Sequence, residues 1–323
     1  ASRSYVSYKP ADLKRKLSEN PFTFIHIINP EFGRADKTKP NTILRFEKVK
    51  SRYKEFCAEG VLRADAVPAF YVYRQTSPLG TFTGIICGIS IDDYLSGKIK
   101  IHEHTITLRE QTFSKYLDTC GFNAEPVLLT YRENNAEVRA LIGARMASKP
   151  ECDFSTTDRH RHQLWPIRDE EIIIKIQKSF SGIEKLYIAD GHHRMASSAL
   201  LGQKRRAAGS TDSKAMHNFT LAMIMPSEQL EIQPFHRLIT EVPVINEAKF
   251  REQLSEKFVI RKEQAPIVPD DKRTWGMRLK SGWYSLKLKH PYHANKKAEQ
   301  LDAMILTRTI LEPLYGITDQ KTD

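Results

Sequence analysis

The stretch LYIADGHHRMASSALLG, residues 186–202, constrains the fold more than any other part of the chain. Leu186, Tyr187, Ile188 and Ala189 form an apolar run of strand length. Asp190 and Gly191 are turn formers, and Asp190 is also a good helix N-cap. The pattern then predicts a helix whose first turn holds His192, His193 and Arg194. Backbone N–H groups in a first turn lack intrahelical partners, and the helix dipole there favours an anion. Cationic side chains in the same turn oppose that dipole, and a bound phosphate would compensate them. The bland alternative is a strand-to-helix turn carrying surface histidines.

Helices are expected over residues 11–19, 44–60, 91–97, 108–120, 169–180 and 247–258, with a long amphipathic one over 298–311. Strands are expected within TFIHIINPE, KIKIHEHT and FTLAMIM and over residues 127–131 and 138–142. Hairpin signals join AFYVYRQ to FTGIICGIS and run through residues 275–289 around Ser281 and Gly282. Residues 33–41, 146–157 and 203–214 have loop composition. Such irregular alternation, with strands paired by hairpins, favours a mixed α+β fold over a doubly wound sheet.

Fifty Lys and Arg against 39 Asp and Glu give the 323-residue chain a net charge of +11. That balance suits the handling of anions without selecting nucleic acid, because the basic residues are spread out. No apolar run approaches the roughly 18 residues of a membrane span, and no cleavable leader is evident. The start at Ala1 reads as a trimmed or incomplete terminus. Cys57, Cys87, Cys120 and Cys152 form no CxxC pair and no zinc-ligand spacing, which points to a reducing, cytoplasmic setting.

Six of the eleven histidines fall in three doublets: His102 with His104, His160 with His162, and His192 with His193. One reading is a metal site, with Glu103, Asp158 and Asp190 as neighbouring acids. A second is phosphate handling by histidine and arginine donors, and a third is structural. Asn29-Pro30-Glu31 is a turn able to bring Glu31 to a cleft, and IQPFHRLI carries His236. There is no GxxxxGK[ST] loop, no GxGxxG after a strand, no GxSxG and no HExxH. A kinase of the P-loop or protein-kinase type is thereby excluded.

ADGHHR between a strand and a helix, with KIHEHT and an arginine-bearing helix upstream, resembles the family known as domain of unknown function 1015. ENPFTFIHIINPE, GIICGISIDDYLSGKIKIHEHT, RHQLWPI, IQPFHRLI and LDAMILTRTILEPLYGI are similar to that family too, so the resemblance covers essentially the whole chain. Against the family pattern the chain is expected to start late and to stop early, at GITDQKTD. The family is in turn similar to the ParB/sulfiredoxin-like fold, in which a DGHHR-like turn binds nucleotide phosphates. Free-serine kinases of that superfamily show an HE motif, a helix, a proline-led strand and then DGHHR. The matching elements here are His102-Glu103, the helix from about Arg109, the strand after Pro126, and Asp190 to Arg194. The long interval before DGHHR departs from that pattern. The implied organisation is an N-terminal α+β part (1–97), a ParB/sulfiredoxin-like core (98–225) with an insertion at about 132–185, and a C-terminal α+β part (226–323).

The resemblance implies transfer of a phosphoryl group from ATP or ADP, with Mg²⁺, to the hydroxyl of a free amino acid, most simply L-serine. Glu103 would be the general base. Gly191, His192, His193 and Arg194 would cradle the phosphates, and Asp190 would hold Mg²⁺ or orient a histidine. His102, His104, Arg109, Arg159, His162, Glu31 and His236 would make up the surrounding shell. The competing classes are a nucleotide-gated ParB-like module associated with DNA and a metal-dependent hydrolase built on the doublets. No helix-turn-helix with a basic face stands out, so a nucleic-acid partner is not expected. A homodimer is compatible with the sequence.

Overall fold

The computed structural model describes residues 8–102, 105–132, 135–233, 236–239, 246–295 and 297–317. The chain divides into two compact units, the first ending at Glu231 and the second beginning at Ile232.

The first unit opens with three helices, α1 (Pro10–Glu19), α2 (Ile25–Ile28) and α3 (Ile43–Ala58). The hairpin β1 (Phe70–Ser77) and β2 (Gly80–Ser90) follows, then α4 (Ile91–Leu95), the two-residue strand β3 (Ile99–Lys100) and α5 (Thr107–Cys120). Next come β4 (Val127–Tyr131), α6 (Ala136–Met146), the hairpin β5 (Cys152–Ser155) and β6 (Arg161–Ile167), and α7 (Glu170–Ser181). The unit closes with β7 (Leu186–Asp190), α8 (His192–Ala207) and β8 (Phe219–Pro226). Its eight strands form one mixed sheet in the order β3-β7-β4-β8-β2-β1-β6-β5, drawing on both sides of residue 97. Only β3 with β7 and β4 with β8 run parallel.

Strand register shows where the core lies. Trp165, Val72, Ile85, Ile224, Leu129 and Ile188 are successive cross-strand partners from β6 to β7, and all six are buried. Cross-strand partners share a face, so one apolar row runs across six strands. Met195 of α8, Val138 of α6 and Ile176 of α7 join the two core clusters built on this row. Outside them, α5 packs on α8 and α3 packs on α5, around Ile27, Phe46, Val49, Phe56 and Cys120.

Several segments differ from what the sequence pattern predicts. TFIHIINPE is not a strand: Ile25 and Ile27 are buried in the helical turn α2, while His26 Nε2 hydrogen-bonds to the Leu17 and Asn20 carbonyls at 3.1 and 3.2 Å. A short run apolar on both sides fits a buried turn as well as a buried strand. Residues 138–142 are helical, because Asn135 caps α6 by accepting the Val138 N–H at 3.0 Å. Residues 152–155 pair as β5, and α8 continues to Ala207, its basic end anchored by Arg205–Asp118 and Arg206–Asp92 ion pairs. Among the described residues of KIKIHEHT, only Ile99 and Lys100 lie in a strand. Cys57, whose apolar neighbours in sequence suggest a packing residue, is exposed.

The second unit contains α9 (Glu247–Ser255) and a sheet of β9 (Phe258–Glu263), β10 (Thr274–Leu279) and β11 (Gly282–Leu288) in the order β10-β11-β9. Phe250, Leu254, Phe258, Leu286 and Ile310 form its core. The expected long helix over 298–311 is broken into α10 (Asp302–Leu306), a π-helical turn (Thr307–Leu311) and α11 (Glu312–Tyr315). Pro313 cannot donate to the Thr309 carbonyl, and the widened turn absorbs that loss.

Candidate anion-binding site at the strand–helix turn

Strand β7 ends at Asp190, and α8 starts directly after Gly191, whose φ is +94°. That left-handed residue reverses the chain in one step, as only glycine does without strain. Asp190 does not cap the helix, and α8 has no side-chain cap at all. The first bond of the helix is Met195 N–H to Gly191 O, at 3.0 Å. The N–H groups of His193 and Arg194, in the first turn, have no intrahelical partner.

Asp190 instead pairs with Arg194 at 2.6 Å, and Glu125, just ahead of β4, pairs with the same guanidinium at 2.5 Å. Glu125 reaches the turn because β4 runs antiparallel to β7, with Leu128 opposite Asp190 beside an irregularity at Leu128/Leu129. No sequence motif singles out Glu125; the proline after it and the antiparallel pairing are the only signals. Arg194 Nε and His193 Nδ1 are buried without a hydrogen-bond partner. A buried polar atom left unpaired costs about 1–3 kcal/mol, so both nitrogens have unused hydrogen-bonding capacity beside the turn. A Cβ at residue 191 would sit 2.8 Å from Arg194 Nε, so the guanidinium occupies the space that glycine leaves.

The parallel pairing of Ile99 with Leu186 and Lys100 with Tyr187 carries the following residues to the C-terminal end of β7. His102 arrives there against the buried His192. Their ring centroids lie 4.3 Å apart at 86°, and the His102 N–H donates to His192 Nε2 at the long distance of 3.5 Å. Glu103 and His104 lie outside the described residues. Arg109 is exposed in the first turns of α5, which begins five residues beyond His102.

Within the first unit, the other expected shell residues lie elsewhere. Arg159 and His162 belong to the β5–β6 hairpin, and β6 is five strand positions from β7 in the sheet order, roughly 24 Å at ordinary strand spacing. Glu31 is buried between α2 and α3 in ion pairs with Arg45 and Lys48, and it accepts the N–H and hydroxyl of Thr38 at 2.9 and 2.6 Å. Those donors, Lys48 first and then Thr38, hold its carboxyl down at about 2. It is a buttress of the helical layer. His236 is exposed and belongs to the second unit. Among the described residues no three His, Cys, Asp or Glu side chains converge to hold a metal ion.

The family model described as protein of unknown function (DUF1015) matches residues 1–304. The chain belongs to that family. No curated protein and no solved structure matches this DUF1015 member. Among its described residues no helix is long and apolar enough to cross a membrane.

Proposed function

We propose that this DUF1015 protein is a small-molecule kinase, with a ParB/sulfiredoxin-like nucleotide-binding core and the turn Asp190 to Arg194 as its phosphate cradle. The acceptor is the hydroxyl of a free amino acid, with L-serine the first candidate, and the donor is ATP or ADP. One observation carries this reading. An uncapped helix start offers backbone donors beside two buried side-chain nitrogens without partners, His193 Nδ1 and Arg194 Nε, at the place where the segment containing His102 arrives.

The donor set suits phosphate: orphan N–H groups, an imidazole and a guanidinium around a helix N-terminus stabilise oxyanions. Mg²⁺ uses one or two carboxylates with phosphate oxygens completing its shell, so Asp190 and Glu125 fit as its protein ligands. When bound, the metal would neutralise charge on the transferring group. Glu103 follows His102 directly and would accept the proton of the attacking hydroxyl. Arg194, bracketed by two carboxylates, would exchange one of them for phosphate on nucleotide binding. The free thiols of Cys57, Cys87, Cys120 and Cys152 support a cytoplasmic setting.

The test is incubation of the purified protein with Mg²⁺, ATP or ADP and L-serine, with O-phosphoserine read by phosphorus NMR. Product that disappears in Glu103→Gln while nucleotide still binds supports the assignment. If no amino acid or polyol is phosphorylated and nucleotide binds without turnover, the chain is a nucleotide-gated module instead.

A further inference from the structure

The doublet of His160 and His162 takes no part in the turn at α8, yet it sits in an organised environment of its own. Residues 156–160 close the β5–β6 hairpin, with Thr156 N–H to His160 O at 2.8 Å and Arg159 N–H to Thr156 O at 3.0 Å. Register places Phe154 and Gln75 opposite His162 on either side, and Tyr73 two residues from Gln75 on the same face. The three rings stack in a column: Tyr73 to His162 at 6.0 Å and 22°, and His162 to Phe154 at 5.1 Å and 24°. His162 Nδ1 is bonded to the Tyr73 hydroxyl at 2.6 Å, and the Thr156 hydroxyl faces Nε2 at 3.5 Å. Thr156 Oγ1 donates to Asp158 at 2.5 Å, and Asp158 pairs with His160 at 3.1 Å.

The column ends at Phe154, which is 42% exposed and has its own surroundings. A cavity of about 180 Å³ opens there, lined by Phe154 to Thr157 on the hairpin side and by Tyr8, Lys16 and Asn20 on the α1 side. Pockets for drug-sized ligands run to roughly 300–1,000 Å³, so this one has room for a single ring. Among the described residues its lining holds one cation, Lys16, with hydroxyls, an amide and an aromatic face, and no carboxylate. Asn20 is the C-cap of α1, where the helix dipole is negative. Lys16 offers a single point charge, which one carboxylate neutralises, whereas a dianion would leave excess negative charge beside the negative helix end.

We propose that this cavity is a second binding site, for a small planar molecule bearing one carboxylate, with Phe154 as its ring platform and Lys16 as its counter-ion. The hydroxyls of Ser155 and Thr157 supply hydrogen bonds to the ligand, while the Thr156 hydroxyl, its proton engaged by Asp158, holds the hairpin against His162. Burial, and then the neighbouring His160, keep the His162 imidazole below its ordinary titration range, so a neutral ring backs the platform. The site is separate from the phosphate cradle and stands whether or not the kinase reading holds.

Benzoate is the probe, titrated into the full chain and followed by the ring resonances of His162 and Phe154, with benzamide, acetate and inorganic phosphate as comparators. Saturable benzoate binding, about fivefold or more tighter than each comparator, is expected. Lys16→Met and Phe154→Ala should each weaken it by about fivefold or more; Phe154 is exposed, Lys16 is half-buried, and neither belongs to the buried core, so the fold is kept. Absence of saturable shifts at millimolar benzoate overturns the proposal. So does tighter binding of phosphate or benzamide, or benzoate binding that survives either substitution.

Discussion

The imidazoles of His102 and His192, 90 residues apart in sequence, meet edge to face at 4.3 Å. Two residues of parallel pairing suffice to bring them together, because β3 ends beside the strand that feeds α8. What reads in the sequence as two remote histidine motifs is, in space, one end of one strand pair.

Gly191 is expected to resist substitution. Its φ of +94° costs a side chain about 1–2 kcal/mol, and the new Cβ would displace the Arg194 guanidinium. Gly191→Ala should lower the urea midpoint with an unchanged slope and weaken phosphate binding as well. A variant as stable and as tightly binding as the parent would contradict the left-handed turn.

Glu125 should oppose anion binding in the absence of metal, because it neutralises Arg194 from the far side of Asp190. In metal-free buffer Glu125→Gln is expected to tighten inorganic phosphate by about twofold to fivefold, the range of an exposed ion pair. Calorimetric titration decides it, and weaker binding would place phosphate away from Arg194.

Glu31 makes an acid-sensitive joint. Its carboxyl is held at about 2, against an ordinary 4.5. The stabilisation is present in full above pH 4.5 and is lost as the pH falls toward about 2. Urea midpoints measured down that range should fall in the parent, while Glu31→Gln starts lower and shows a flatter acid limb.

Gly202 packs α8 against α4. A Cβ there would lie 2.2 Å from Ile91 Cδ1 and 2.6 Å from the His217 carbonyl. Gly202→Ala should destabilise the protein by about 1–3 kcal/mol by overpacking, despite alanine's better helix propensity. Thermal or urea unfolding would show the sign directly.

His162 should titrate below 6.5, since burial and the nearby His160 disfavour its cation more than Asp158 favours it. The unfolded chain then takes up the proton first, so this residue's contribution to stability fades as pH falls below 6.5 and through the folded midpoint. Imidazole NMR gives the midpoint, and Tyr73→Phe should shift it by removing the 2.6 Å contact to Nδ1.

Much of the architecture is legible in residue order, for physical reasons that differ by element. The strand, glycine and helix of residues 186–207 announce themselves because strand length, left-handed turn and helical spacing agree. The β1–β2 hairpin does so through alternation around Pro78 and Gly80. TFIHIINPE misleads because four residues are too few to tell one period from another. The 138–142 run misleads because its cap, Asn135, looks like part of a loop. Within the site, Glu125 is invisible to sequence because antiparallel register, not spacing, delivers it. The histidine doublets suggested one cluster, and only strand order separates His162 from His192.

The brevity of β3 bears on how the protein is made. A chain leaving the ribosome carries His102 for 90 residues before its partner exists. Two ladder positions cannot hold that segment until β7 has docked, so closing the loop is an entropic cost met late. The turn after β7 can form from local residues alone, whereas its completed form reports that everything between has folded. A pulse of hydrogen exchange during refolding should therefore protect the amide of Leu186, bonded to the Lys98 carbonyl at 3.1 Å, among the last of the sheet.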